Sequence, residues 1–353
     1  MAENALLKRL ANGGNVLIAE GYLFEFERRG FLKAGAFVPE VVLEHPELVK
    51  SLSEEFVHAG SDVVLAFTYY GHREKLRVIG REGDLEKMNR LALDIAKGVA
   101  TATGTLFAGN ICNTTLYQRD NEATHVQVEA IFKEQIEWAV EAGVDFIVAE
   151  TFTELAEAML ALKSIQKYGK GTPAVVTLAS TGKAGTFEDV PFGEACRRLE
   201  EAGAAVVGLN CSRGPATMLP LIREVRAACK GPIACLPVPY RTTNDCPTFM
   251  SLVDSFSGEP AFPIDLPSHT CGRSEIRQFA QACKDIGVQY MGLCCGNASH
   301  YFREVAEVYQ RSPPASRYST DMSQHYMFGD RSRFSEYSTG AYRQAYVGTT
   351  GKT

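Results

Sequence analysis

The chain has 353 residues, 45% of them hydrophobic and 22% charged, with a formal net charge of −6. This is an ordinary globular composition, long enough for one large barrel or two medium domains. Interspersed acids and bases with a negative balance argue against a nucleic-acid or anionic-membrane surface and favour a small neutral or zwitterionic ligand.

The N-terminus, Met1-Ala2-Glu3-Asn4-Ala5-Leu6-Leu7-Lys8, lacks the basic-then-apolar pattern of a signal peptide. No apolar run approaches the roughly 18 residues of a membrane helix, so the chain is expected in the cytoplasm. Asn15-Val16-Leu17-Ile18-Ala19-Glu20-Gly21 reads as a strand buried on both faces and closed by an acid and a glycine. A helical pattern covers 39–57, followed by a strand over 63–70 and a charged helix around 85–102. A third strand, 106–112, and an amphipathic helix over about 126–142 come next, and then the unit repeats.

Helix-Ala-Gly-x-x-strand junctions recur at Ala59-Gly60, Ala142-Gly143 and Ala202-Gly203, with a looser copy at Ile286-Gly287. Each places a glycine where a helix stops and an apolar strand begins. With strands at 174–178 and 232–236 and the run ending at Leu293, the count is eight strands alternating with helices. Short buried strands separated by helices mean parallel pairing, and eight units predict an α/β protein with a closed (βα)8 TIM barrel. The barrel is expected over 1–312. Residues 313–353, rich in Ser, Tyr and Gly, read as a short C-terminal extension that wraps the barrel or a neighbouring subunit and ends in disorder. The Pro-, Ser- and Thr-rich segment 240–270 is the longest interruption and is expected to cover the site.

Functional residues of a barrel lie at the C-terminal ends of its strands. That rule selects Glu20, Tyr69, Tyr70, Asn110, Cys112, Glu150, Ser180, Asn210, Cys211, Pro239, Tyr240, Cys294 and Cys295. Cys294 and Cys295 are adjacent, which makes a disulfide between them unfavourable. Cys211 ends a strand two places away on the same rim. Three thiolates without a fourth protein ligand describe a catalytic zinc site with one open position. The competing possibility is that Cys211 is a packed thiol and the vicinal pair points to opposite faces. Cys112, Cys196, Cys229, Cys235, Cys246, Cys271 and Cys283 read as ordinary packed thiols.

Zinc held by three thiolates is a poor Lewis acid but a good carrier for a fourth thiolate, which suits alkyl transfer to a thiol. The methyl donor then needs a good neutral leaving group, as in a quaternary ammonium or a sulfonium. Glu150, with Glu20 beside it, is placed to bind an α-amino group. Phe37, Phe67, Tyr69 and Tyr70 could line a cage for a methylated cation.

Gly208-Leu209-Asn210-Cys211 together with Gly292-Leu293-Cys294-Cys295-Gly296 resembles the two zinc motifs of the homocysteine S-methyltransferases. Glu27-Arg28-Arg29-Gly30, Glu44-His45-Pro46-Glu47, Ala66-Phe67-Thr68-Tyr69-Tyr70, Val190-Pro191-Phe192-Gly193 and Pro313-Pro314-Ala315-Ser316 extend the likeness to the betaine-using branch of that family. The resemblance implies a zinc-dependent barrel enzyme that moves a methyl group from glycine betaine to homocysteine, giving dimethylglycine and methionine. It implies Cys211, Cys294 and Cys295 as metal ligands, and Glu150 and Tyr70 as catalytic residues. Glu20, Gly21, Phe37, Tyr70, Glu150 and Thr151 would be the substrate-binding set. It also implies a homo-oligomer, although the family's long C-terminal helical arm is curtailed here.

Three positions depart from the family pattern: Ala19 stands where the family has an aspartate, with the acid displaced to Glu20, and Phe37 and Thr151 replace a tryptophan and a tyrosine. A one-residue displacement turns a side chain to the other face unless the strand end bulges. Because all three departures fall on the donor and amino-acid pocket, a sulfonium donor such as S-methylmethionine or dimethylsulfoniopropionate is the alternative. A non-catalytic zinc- or thiol-binding barrel is the third reading.

Overall fold

A computed structural model describes residues 4–333 and 340–347. Eight strands close in chain order into a barrel: β1 Val16–Ala19, β2 Val63–Leu65, β3 Leu106–Cys112, β4 Phe146–Phe152, β5 Ala174–Leu178, β6 Val206–Asn210, β7 Ile233–Leu236 and β8 Tyr290–Leu293. Every pairing is parallel, and β1 seals against β8 from Val16 opposite Tyr290 to Ala19 opposite Leu293. Nearly every strand residue is buried, as β-branched and apolar strands covered on both faces must be. Inside, Tyr290 meets Phe146 edge to face at 6.3 Å.

The repeated glycines do what the junction pattern requires: Gly60, Gly143, Gly203 and Gly287 all take positive φ, the left-handed conformation that stops a helix. The helix expected over 39–57 is instead two, Val41–Glu44 and Pro46–His58. Pro46 has no N–H to continue the first helix and drives His45 out of the helical region, to φ −141 and ψ 59. The second strand ends at Leu65 rather than Tyr70. Beyond it Thr68 Oγ1 bonds to the Asn110 carbonyl (2.7 Å), and Tyr70 takes φ 56. An N-terminal helix, Ala5–Leu10, capped by the Asn4 side chain, has no counterpart in the sequence reading.

The chain divides into two compact units, Met1–Pro314 and Ala315–Thr353. The second contains short 3-10 turns and a helix, Tyr342–Val347, with His325 Nδ1 accepting the backbone N–H of Met327 at 3.1 Å. The disorder expected of the last residues falls on 348–353, outside the described residues. Among the described residues no helix is long and apolar enough to cross a membrane.

Behind Tyr70, His72 is buried (1% exposed), with its ring 6.0 Å from the Tyr70 ring. Burial, and then the charge of Lys75, push the imidazole down to about 4. Its folded pKa lies below that of the unfolded chain, so protonation favours unfolding and stability falls as pH drops from about 6.5 towards 4. The folded state should be about 2 kcal/mol less stable at pH 5 than at pH 8 from this group alone. Urea melts of the native chain and His72→Phe at both pH values check this, and the variant should lose that part of the decline.

Candidate active site at the barrel rim

Cys211 follows the last residue of β6. It and Ser212 both take positive φ, 56 and 59, turning the chain back across the rim. Cys294 and Cys295 follow β8, and the next residue, Gly296, has φ 90. A Cβ on Gly296 would stand 2.5 Å from the Tyr240 hydroxyl, so the turn that presents the pair requires glycine. The vicinal thiols do not diverge. Their Sγ atoms are 4.0 Å apart, and all three sulfurs lie within 4.8 Å of one another.

Tetrahedral zinc with Zn–S bonds of about 2.3 Å sets its sulfurs roughly 3.8 Å apart, so the cluster has the span of a metal site. Its electrostatics agree. Hydrogen bonds from Cys294 and Cys295 hold the Cys211 thiol well below its ordinary value, while Cys211 pushes its two partners well above theirs. Three thiolates this close together in a buried cluster demand a cation. The other seven cysteines are packed, except Cys246, which is half-buried.

The acids gather beside the thiols. Oxygens of Glu20 and Glu150 and the sulfur of Cys294 lie within 4.8 Å of one another, so Glu20 faces the site despite its displaced position. β1 pairs with β8 only to Ala19, and Gly21 then turns the chain at φ 98, where a Cβ would meet the Cys294 carbonyl at 2.6 Å. Burial first, then Glu150 and Cys211, push Glu20 well above the carboxylate range; Glu150 rises to about 7, with burial the main cause.

A register irregularity in the β4–β5 pairing spans Ala149 to Phe152. It delivers Glu150 inward and puts Thr151, a β-branched residue, at φ 64. Asn210 holds this strained turn. Its Oδ1 accepts the Thr151 N–H (3.0 Å), and its Nδ2 reaches Thr151 Oγ1 (2.8 Å) and Glu150 Oε2 (2.9 Å). Asn113 Nδ2 donates to the Thr151 carbonyl (2.8 Å), and Asn110 Nδ2 donates to Glu150 Oε1 (2.5 Å). The strand-end rule picks out Asn110 and Asn210, but only the side-chain geometry shows that they clamp Glu150.

Two spaces open from this point. The inner cavity, about 30 Å³, is lined by Glu20, Gly21, Asn110, Glu150 and Cys294 together with apolar side chains. The outer cleft, about 350 Å³, is lined by Phe24, Phe37, Tyr70, Phe249, Phe262 and Cys211 among others, with hydroxyls from Thr153, Ser180, Ser212 and Thr248. Leu23, Tyr69, Thr151 and Cys295 border both, so the thiol cluster sits at the boundary between an acidic chamber and an aromatic one. Phe67 lies on the inner side, stacked on Tyr22 at 5.3 Å, and does not line the aromatic cleft. The segment 240–270 supplies Phe249 and Phe262, which pack at 5.4 Å and meet Phe24 and Phe37. Sequence reasoning missed three of these: Phe24 lies on a short helix, Tyr22–Arg28, that the sequence pattern did not reveal, and Phe249 and Phe262 come from a long loop without periodic signal. Tyr70 already carries a cation: the Lys75 ammonium lies 4.0 Å from its ring centroid.

The family model described as homocysteine S-methyltransferase matches residues 21–309. The chain belongs to the homocysteine S-methyltransferase family. It is 34% identical over 316 residues to betaine–homocysteine S-methyltransferase 1 of Mus musculus, spanning 87% of this chain and 75% of that protein. It is 33% identical over 313 residues to S-methylmethionine–homocysteine S-methyltransferase BHMT2 of Mus musculus, covering 87% of this chain and 81% of that one. Its fold is similar to that of the metallated homocysteine methyltransferase MmuM from Escherichia coli, with TM-score 0.67 and 16% identity over 86% of this chain and 98% of that chain. As a member of this family the chain is a methyltransferase.

Proposed function

We propose that this methyltransferase is a cytoplasmic, zinc-dependent enzyme that transfers a methyl group from glycine betaine to homocysteine, giving dimethylglycine and methionine. The observation that carries the reading is the thiol cluster of Cys211, Cys294 and Cys295 at the boundary between the acidic chamber and the aromatic cleft. Those three residues would hold the zinc, which when bound keeps an acceptor thiol in its nucleophilic thiolate form near neutral pH.

Glu20 and Glu150 would face the acceptor's ammonium, whose charge draws their raised carboxyl groups into the ionised form, and Gly21 lines the same chamber. Phe37, Tyr70, Phe249 and Phe262 offer π faces to a methylated cation and keep water from it, and Thr151 lies between the two substrates. In the transfer a new S–CH3 bond forms as the donor's N–CH3 bond breaks, and the bonding pair leaves with the neutral amine.

A sulfonium donor is the second reading, favoured by the BHMT2 relative and by Phe37 and Thr151 in the cleft. Methionine formation from homocysteine with betaine, S-methylmethionine or dimethylsulfoniopropionate in parallel tests the choice. The proposal expects betaine to give the highest kcat/KM. Turnover with a sulfonium and none with betaine would replace it with the second reading.

A further inference from the structure

Arg213, just past the end of β6 in Cys211-Ser212-Arg213, is buried, and its guanidinium has only neutral partners. Nε donates to Ser180 Oγ (2.8 Å), and Nη2 donates to the carbonyls of Gly182 (2.8 Å) and Lys183 (2.9 Å). Among the described residues no carboxylate pairs with it, and the thiol cluster does not balance its charge either. Buried charges are ordinarily paired, so a lone guanidinium beside a cleft marks where a ligand's anion belongs.

Ser180 connects that charge to the outer cleft. Its hydroxyl accepts from Arg213, gives its proton to the Lys183 carbonyl (2.7 Å) and lines the cleft beside Thr181 and Ser212. The hydroxyls of Thr181 and Ser212 meet no protein acceptor among the described residues, so both are free to donate. No Asp, Glu, Lys, Arg or His lines the cleft itself. Lys75, the other cation near it, is spent on the ring of Tyr70. Glu20 and Glu150 lie behind the border at Thr151 and Cys295, whereas Arg213 lies behind Ser180, so the cleft is electrically polarised.

We infer that Arg213 is a positioning residue that sets donor specificity: acting through Ser180, it makes the wall of Ser180, Thr181 and Ser212 the seat of the methyl donor's carboxylate. The Thr181 and Ser212 hydroxyls donate to that group, and the onium end turns towards the aromatic side chains and the thiol cluster. The donor is accordingly a zwitterion, an onium with a carboxylate on a short chain, and a bare onium binds poorly. This rests on the onium-donor reading above and narrows it, for an ammonium and a sulfonium alike.

Calorimetry on the zinc-loaded full chain tests it, with homoserine filling the acceptor chamber so that no methyl transfer intervenes. The probes are two pairs, glycine betaine against tetramethylammonium and dimethylsulfoniopropionate against trimethylsulfonium, the second of each pair lacking the carboxylate. The native chain should bind the carboxylate-bearing member of at least one pair about tenfold or more tighter. Arg213→Met should weaken that member about 10- to 50-fold and change the bare onium less than about threefold. Arg213→Lys, which keeps the charge but not the planar fork, should stay within about fivefold of the native chain. Equal weakening of both members, weakening of neither, or a lysine variant no better than the methionine variant would make Arg213 a brace for the loop 180–183 and overturn the inference. So would a native chain without preference in either pair. Preference for dimethylsulfoniopropionate over betaine, still dependent on Arg213, would uphold the inference and overturn betaine as the donor.

Discussion

Cys211→Ala and Cys294→Ala will each lose bound zinc and reduce methyl transfer at least about 10³-fold, because the remaining two sulfurs no longer close a three-thiolate site. The expectation follows from the spacing, with all three sulfurs within 4.8 Å, where three buried thiolates are stable together only around a cation. Cys211 is buried at the wall of the outer cleft, so removing its sulfur enlarges that space and leaves a folded barrel, and thermal melting separates the two effects. Cys246→Ser, at a half-buried thiol away from the cluster, should keep full zinc and activity. Metal analysis of the purified variants with parallel turnover assays is the check. Stoichiometric zinc in Cys294→Ala would remove Cys294 from the site.

Glu150→Ala should lower kcat/KM for homocysteine about 10²- to 10³-fold, chiefly through KM, with zinc retained. Truncating one member of a buried, hydrogen-bonded charge pair typically costs 2–5 kcal/mol. Here the deletion also leaves the amides of Asn110 and Asn210 without their carboxylate and loosens Thr151, held at φ 64 by the same network. Glu150→Gln keeps the shape but not the charge and should lose less, about 10- to 100-fold. Steady-state kinetics against homocysteine, with metal content measured on the same samples, separates a binding role from damage to the metal cluster. Loss of zinc in step with activity would mean that Glu150 supports the thiols and not the substrate.

The parts of this site legible in the sequence are those fixed by where strands end. Cys211, Cys294 and Cys295 stand at the ends of apolar runs, and the repeated Ala-Gly junctions gave the eight-fold architecture that brings those ends to one rim. The orientation of Glu20 was not legible, because side-chain direction at a strand end depends on the residue at which pairing stops, and here β1 pairs only to Ala19. In the sequence Thr151 reads only as a substrate-binding position replaced within the donor and amino-acid pocket. The irregularity between Ala149 and Phe152 that makes it a strained, clamped residue bordering both chambers arises from pairing with β5 and leaves no local mark. Phe249 and Phe262 enter from a long loop whose path is set by tertiary contacts, so only the folded chain shows that they share a cleft with Phe37.

The central claim is that three protein thiolates bind zinc and leave one position for the acceptor sulfur. Zinc K-edge X-ray absorption on the full chain, before and after homocysteine is added, tests it most directly. Three sulfur neighbours at about 2.3 Å and one lighter atom are expected in the free enzyme, and four sulfurs with homocysteine. A sulfur count that stays the same on adding homocysteine would contradict it.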